Sequence, residues 1–178
     1  MTSPKVLLVT GGGRSGKSSY ALQRASGYPR RGFVATAEAF DDEMRRRIEK
    51  HQAERGNQFE TVEAPVALAD GIRSLAGRAD VVIVDCLTVW LGNLMYKGRV
   101  HNGQSGELDD LLALLADPPL DIILVTNEVG LGIIPGDAMS REYRDLAGLV
   151  NQRVAAAADE VVLVVCGLPL TLKSGIQA

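Results

Sequence analysis

A chain of 178 residues, 46% of them hydrophobic, carries enough apolar surface to bury a core without disulfides or metals, and we read residues 1 to 178 as one domain. A net charge of -3 and an aromatic content of only 4% leave neither a basic face for a nucleic-acid backbone nor platforms for base stacking, so nucleic acid is excluded as a partner. Cys86 and Cys166 each close an apolar run and form no C-x-x-C or His/Cys cluster, which suits free thiols in a reducing cytoplasm. No apolar run approaches the roughly 18 residues of a membrane span, and the first one is too short for a signal-peptide core.

That first run is KVLLVT at Lys5–Thr10, from which we predict a strand over Val6 to Thr10. It leads straight into GGGRSGKS at Gly11–Ser18, which fits the pattern G-x-x-x-x-G-K-S/T, and a helix is predicted over Lys17 to Ser26. Glycines let consecutive N–H groups curl toward phosphate oxygens, and the helix that follows aims its positive end at the same place. In this pattern Gly11, Gly12, Gly13, Arg14, Ser15, Gly16, Lys17 and Ser18 cradle a triphosphate, with Lys17 reaching the β- and γ-phosphates and the Ser18 hydroxyl placed to ligate Mg²⁺. Gly11, Gly13 and Gly16 also spell the G-x-G-x-x-G of a dinucleotide fold, with Glu38 at about the distance of a ribose-binding acid. Lys17 and Ser18 have no place in that reading. Tyr143 is followed four positions on by Ala147 rather than by the lysine that hydride chemistry would want, and we adopt the phosphate loop.

Further strands are predicted at Phe33 to Ala37, Val81 to Asp85, Ile122 to Thr126 and Val161 to Cys166. Gln58 to Glu63 supplies an edge strand and Leu170 to Lys173 a short terminal one. Helices are predicted at Asp42 to Arg55, Val66 to Ala76, Thr88 to Lys97, Glu107 to Leu115 and Ala138 to Ala158. Gly98 to Gly106 is polar and glycine-punctuated and reads as a surface loop. This alternation implies a parallel sheet covered on both faces. With the phosphate loop after the first strand, the expected class is α/β: a P-loop NTPase (RecA-like) three-layer sandwich with a mostly parallel central sheet.

Ligands gather at the carboxyl ends of such strands. Asp85 ends a wholly β-branched run there, the arrangement in which a buried strand delivers one carboxylate toward Mg²⁺; capping the next helix is the plainer role. Asn127 and Glu128 end another strand at the same edge. They resemble the guanine-reading N-K-x-D signature only weakly, since its lysine and aspartate are missing. On the helix Asp42 to Arg55, acid-to-arginine pairs at i,i+4 join Asp41 to Arg45, Asp42 to Arg46 and Glu43 to Arg47, an ordinary solvated face. His51 instead shares an apolar stripe with Met44 and Ile48, a place for a core histidine or for one put to chemical use.

Taken together, TGGGRSGKS at Thr10–Ser18, VATAEAFDDEMRRRIEKHQAER at Val34–Arg55, VDCLTVWLGNL at Val84–Leu94, TNEVGLGIIP at Thr126–Pro135 and the segment from Tyr143 to Lys173 resemble one family over most of the chain. It is the bifunctional adenosylcobinamide kinase and adenosylcobinamide-phosphate guanylyltransferase family of cobalamin biosynthesis. The resemblance implies phosphorylation of adenosylcobinamide by ATP or GTP, then transfer of GMP from GTP to adenosylcobinamide phosphate through a histidine phosphoramidate, which it places at His51. It further implies guanine-nucleotide contacts at Ala35, Thr36, Ala37, Gln52, Ala53, Glu54, Arg55, Glu63 and Asp85, beside the phosphate loop, and a homotrimer. A kinase without transferase activity, or a nucleotide-dependent binding module, is the alternative.

Overall fold

The structure is a computed structural model that describes residues 3–39, 42, 45–46, 58–101 and 103–174. Seven strands form one sheet: β1 Val6–Thr10, β2 Arg31–Ala35, β3 Glu60–Glu63, β4 Val81–Asp85, β5 Asp121–Val125, β6 Glu160–Val165 and β7 Leu168–Lys173, in the order β3-β2-β4-β5-β1-β6-β7. Every neighbouring pair is parallel except the β6–β7 hairpin. The helices are α1 Lys17–Ala25, α2 Leu68–Arg73, α3 Leu87–Tyr96, α4 Gly106–Ala116 and α5 Ala138–Ala157, with a 3₁₀ turn at Val129–Leu131.

The central strands can be apolar throughout because both faces of the sheet are covered. Alternate residues then separate into two cores. Leu7, Val9, Ile83, Ile123 and Val125 pack with Ala21 and Ala25 of α1. Val6, Leu8, Val84, Ile122 and Leu124 pack on the opposite face with α2, α3, α4 and α5, around a fully buried Trp90. The indole N–H of Trp90 donates to the Val66 carbonyl at 2.7 Å, so the ring fills the core without stranding its polar atom. This is the three-layer α/β arrangement expected. Among the described residues, no helix is long and apolar enough to cross a membrane.

Several boundaries differ from the sequence reading. β2 begins at Arg31 and stops at Ala35, because its register with β4 runs from Arg31 opposite Val81 to Ala35 opposite Asp85. Thr36 then leaves the ladder, its hydroxyl donating to the Cys86 carbonyl and accepting from the Cys86 N–H, each at 2.9 Å. β3 starts at Glu60, not Gln58. α2 is shorter than Val66–Ala76, giving way to turns that include Gly77 with a φ of 75°. β7 reaches back to Leu168, since its hairpin with β6 closes there. Within Gly98–Gly106, His101 and Gln104 exchange backbone hydrogen bonds at 2.9 and 3.0 Å. Of the helix expected at Asp42 to Arg55, the described residues Asp42, Arg45 and Arg46 are helical. There the Asp42 carboxylate lies 4.0 Å from Arg45, and Arg46 Nε donates instead to the Asp42 carbonyl at 3.2 Å. Both positions adjoin Asp42 on a helix surface, so the i,i+3 partner competes with the i,i+4 one.

Helix α2 lies against the sheet through Gly71, where an added Cβ would stand 2.7 Å from the Ala64 Cβ and 3.5 Å from Val34 Cγ1. Neither neighbour is a movable side-chain end. Gly71→Ala is therefore expected to lower stability by about 1–3 kcal/mol, read from the urea midpoint; an unchanged midpoint would show that α2 can lift off the sheet freely.

Candidate active site

Gly11 leaves β1 with φ 150°, Arg14 has φ 57° and Gly16 caps α1 with φ 100°. The Ser15 N–H donates to the Gly12 carbonyl at 3.3 Å, closing the turn. Gly11 has no room for a side chain: a Cβ there would collide with the Val164 carbonyl oxygen and stand 2.8 Å from Ser15 Oγ. The β6–β7 turn braces the loop from the other side. The Gly167 N–H donates to the Ser15 carbonyl at 2.8 Å, and a Cβ on Gly16 would lie 3.2 Å from Gly167 Cα.

The loop therefore keeps a curl whose unmet capacity suits an anion. α1 carries no acid in its first turn to offset its positive end. Lys17 is buried and its Nζ donates to the Gly12 carbonyl at 2.5 Å. Burial pushes the ammonium below the usual lysine range, and the neighbouring Cys86 and Asp85 side chains oppose that shift. Ser15 Oγ is buried with no hydrogen-bond partner among the described residues. A phosphate oxygen answers both deficits, since it accepts from the hydroxyl and pairs with the ammonium. Ser18 Oγ donates to Asp85 Oδ2 at 3.2 Å, and the cavity in front of them, about 300 Å³, is lined by Arg14, Ser15, Lys17, Ser18, Phe33 and Asp85.

The remaining positions singled out in the sequence sort by strand register. Ala35 pairs with Glu63 on one side and Asp85 on the other, so three of the residues named by resemblance stand in a row at the carboxyl edge of the sheet. Gly12 and Gly13 are exposed with open space around them. Thr36 is fully buried and its hydroxyl is spent on Cys86, while Ala37 is half-buried. His51, Gln52, Ala53, Glu54 and Arg55 lie outside the described residues.

The structure adds residues that sequence reasoning does not single out. Thr88 accepts from Asn127 Nδ2 at 3.1 Å on its hydroxyl and from the Tyr143 hydroxyl at 2.8 Å on its carbonyl. Burial, with the neighbouring Cys86 side chain, pushes the Tyr143 phenol up to about 12. Asn151, 8% exposed on α5, accepts from Thr126 Oγ1 at 2.8 Å, and its Nδ2 reaches the Asn127 carbonyl at 3.1 Å and Glu128 Oε1 at 2.9 Å. Its sequence signal is a polar residue inside the apolar stripe of Ala147, Val150 and Val154.

A glycine loop bent between a buried strand and a helix, facing a carboxylate two strands away, defines a P-loop nucleotide-binding protein. The fold recurs in an ATPase from the type III secretion system of pathogenic bacteria, with a TM-score of 0.57 and 12% identity over 97% of this chain and 57% of that one. It recurs also in a Pyrococcus horikoshii protein, with a TM-score of 0.57 and 9% identity over 99% of this chain and 89% of that one. The family model for cobinamide kinase / cobinamide phosphate guanyltransferase matches residues 7–172, and the chain belongs to that family. Among its relatives are the bifunctional adenosylcobalamin biosynthesis protein CobP of Pseudomonas aeruginosa, 44% identical over 93% of this chain and 96% of that protein, and its counterpart CobU of Salmonella typhimurium, 37% identical over 94% and 99%.

Because Gly11 is pressed against β6, Gly11→Ala is expected to open the loop and remove nucleotide binding. For the parent chain, ligand at about 100 times Kd stabilises by about 2.7 kcal/mol and raises Tm. A Gly11→Ala variant whose Tm still rises with GTP would show that the loop does not depend on this contact.

Proposed function

We propose that this chain phosphorylates adenosylcobinamide with ATP or GTP and then transfers GMP from GTP, through a guanylylated His51, to adenosylcobinamide phosphate. The products of the second reaction are pyrophosphate and adenosylcobinamide-GDP. The observation that carries the reading is the braced phosphate loop with its buried Lys17 and a Ser15 hydroxyl unpartnered among the described residues, in a chain whose match to the kinase and guanyltransferase family runs from residue 7 to 172.

In the first reaction the loop N–H groups and Lys17 hold the β- and γ-phosphates while the substrate hydroxyl attacks. In the second, the His51 imidazole nitrogen bonds to the α-phosphorus as the bond to pyrophosphate breaks. A phosphate oxygen of adenosylcobinamide phosphate then displaces the imidazole. Dividing the transfer in this way replaces one difficult displacement by two easier ones. Ala35, Thr36, Ala37, Gln52, Ala53, Glu54, Arg55, Glu63 and Asp85 surround the nucleotide in this reading, and the alignment of Ala35 and Glu63 with Asp85 supports it.

Ser18 and Asp85 suit Mg²⁺, because a hydroxyl already bonded to a carboxylate beside the loop matches the sparse protein ligation that magnesium accepts when phosphates and water fill its other positions. The ion neutralises phosphate charge. Exposed Leu168, Leu170 and Leu172 on the edge strand β7 support a homo-oligomer, a trimer by resemblance. The free thiols of Cys86 and Cys166 suit the reducing cytoplasm, where we place the enzyme.

Incubation with GTP labelled at the α-phosphate is expected to leave acid-labile label on the chain, and His51→Ala to remove it. Label that persists in His51→Ala, or none on the parent chain, would defeat the covalent route.

A further inference from the structure

The sheet order sets β5 between β4 and β1, so the residues that follow Val125 stand between Asp85 and the phosphate loop. Those residues include Asn127 and Glu128, to which the two reactions as described assign no task. The Glu128 N–H donates to the Gly11 carbonyl at 3.0 Å, tying its backbone to the first residue of the loop. Its Oε1 accepts from Thr10 Oγ1 at 3.2 Å and from Asn151 Nδ2 at 2.9 Å. Both donors are neutral, so they aim the carboxylate without cancelling its charge. Asn151 is itself fixed, since its amide oxygen is held by Thr126 and its nitrogen also reaches the Asn127 carbonyl. A buried amide with both ends committed is a rigid support.

The two halves of the reaction differ in their need for such a group. In guanylyl transfer the attacking atoms are an imidazole nitrogen with a free lone pair and then an anionic phosphate oxygen, and neither carries a proton. In the kinase half the nucleophile is an alcohol, whose proton must leave as its oxygen bonds to phosphorus. A carboxylate oriented beside the loop meets that demand.

We propose that Glu128 is the general base of phosphoryl transfer. Its carboxylate takes the proton from the cobinamide hydroxyl as that oxygen bonds to the γ-phosphorus and the bond from the γ-phosphorus to the bridging oxygen breaks, releasing nucleoside diphosphate. The proton passes to solvent when the products leave. Asn151 and Thr10 are positioning residues that act through Glu128. The assignment rests on the kinase reading of this same site and adds the residue that activates the nucleophile.

The test compares two assays on the full chain: phosphorylation of adenosylcobinamide, and guanylylation of separately prepared adenosylcobinamide phosphate. For Glu128→Gln, which keeps the shape and removes the basic oxygen, the ratio of the kinase to the transferase kcat is expected to fall about 10²- to 10³-fold, with KM values moving by less than about threefold. Glu128→Asp retains the charge and is expected to recover part of the lost kinase rate. Equal loss of both activities would make Glu128 a support of the loop and overturn the proposal. So would undiminished phosphorylation in Glu128→Gln, or a Glu128→Asp variant no better than Glu128→Gln. A parent chain that guanylylates but does not phosphorylate would instead strike the kinase reading beneath it, and this assignment with it.

Discussion

The phosphate loop keeps its curl because β6 and the turn after it lie against it. Gly11 passes so close to the Val164 carbonyl that only hydrogen fits, and the Gly167 N–H holds the Ser15 carbonyl on the opposite limb of the loop. A strand far away in sequence thus sets the shape of the first functional segment. Neither a glycine turn nor a helix N-terminus has a fixed form alone, and a loop free to collapse would lose entropy on gripping its ligand. With the brace in place, that ordering is complete before a nucleotide arrives. The β6–β7 hairpin contributes no phosphate-reading side chain and still determines whether the site exists.

The parallel sheet does for the rest of the site what the brace does for the loop. Neighbouring parallel strands end at one edge, so β2, β3 and β4 present Ala35, Glu63 and Asp85 in register, and β5 delivers Asn127 and Glu128 between Asp85 and the loop. β2, β4 and β5 each have their own reason to be strands in the apolar run that precedes these residues, whereas the largely exposed β3, ETVE, is held by its pairing with β2. The functional residue falls where the apolar run stops, because there the chain leaves the core and can carry a polar group without stranding it.

The same placement decides how much of the molecule is legible in its amino-acid sequence. Local signals locate the phosphate loop, Asp85 and the Asn127–Glu128 pair, because motif and strand end are written in consecutive letters. The strands and most helices are legible for the same reason, apart from ends such as that of β2, where the last residues depend on pairing across the sheet. The Thr36 hydroxyl illustrates the limit. The resemblance names Thr36 as a nucleotide contact, yet its hydroxyl is committed to Cys86 on another strand's end, and only the β2–β4 register reveals that. Asn151 escapes sequence reasoning for the opposite reason. Amphipathicity marks a helix by its apolar majority, and one amide on that stripe has no local pattern to announce that it holds the end of a strand distant in the chain.

Lys17 shows how burial and ligand binding are linked in energy. Its ammonium donates to the Gly12 carbonyl, and burial holds it below the usual lysine range. A lysine whose folded pKa is below its unfolded one costs stability in full while both states are protonated, and the cost disappears as pH rises from the folded value toward the unfolded one. Below both pKa values the protein without nucleotide bears that cost. A triphosphate beside Nζ supplies the opposite charge that burial has taken from water, so part of the binding energy is relief of a strain the fold already contains. The same burial that makes Lys17 uncomfortable alone strengthens its hold on phosphate, because the field of an ammonium in a poorly hydrated cradle is screened less than at the surface. Stability and ligand affinity are therefore opposed at this residue, and the chain sacrifices the first for the second at the position its glycine loop was shaped to serve.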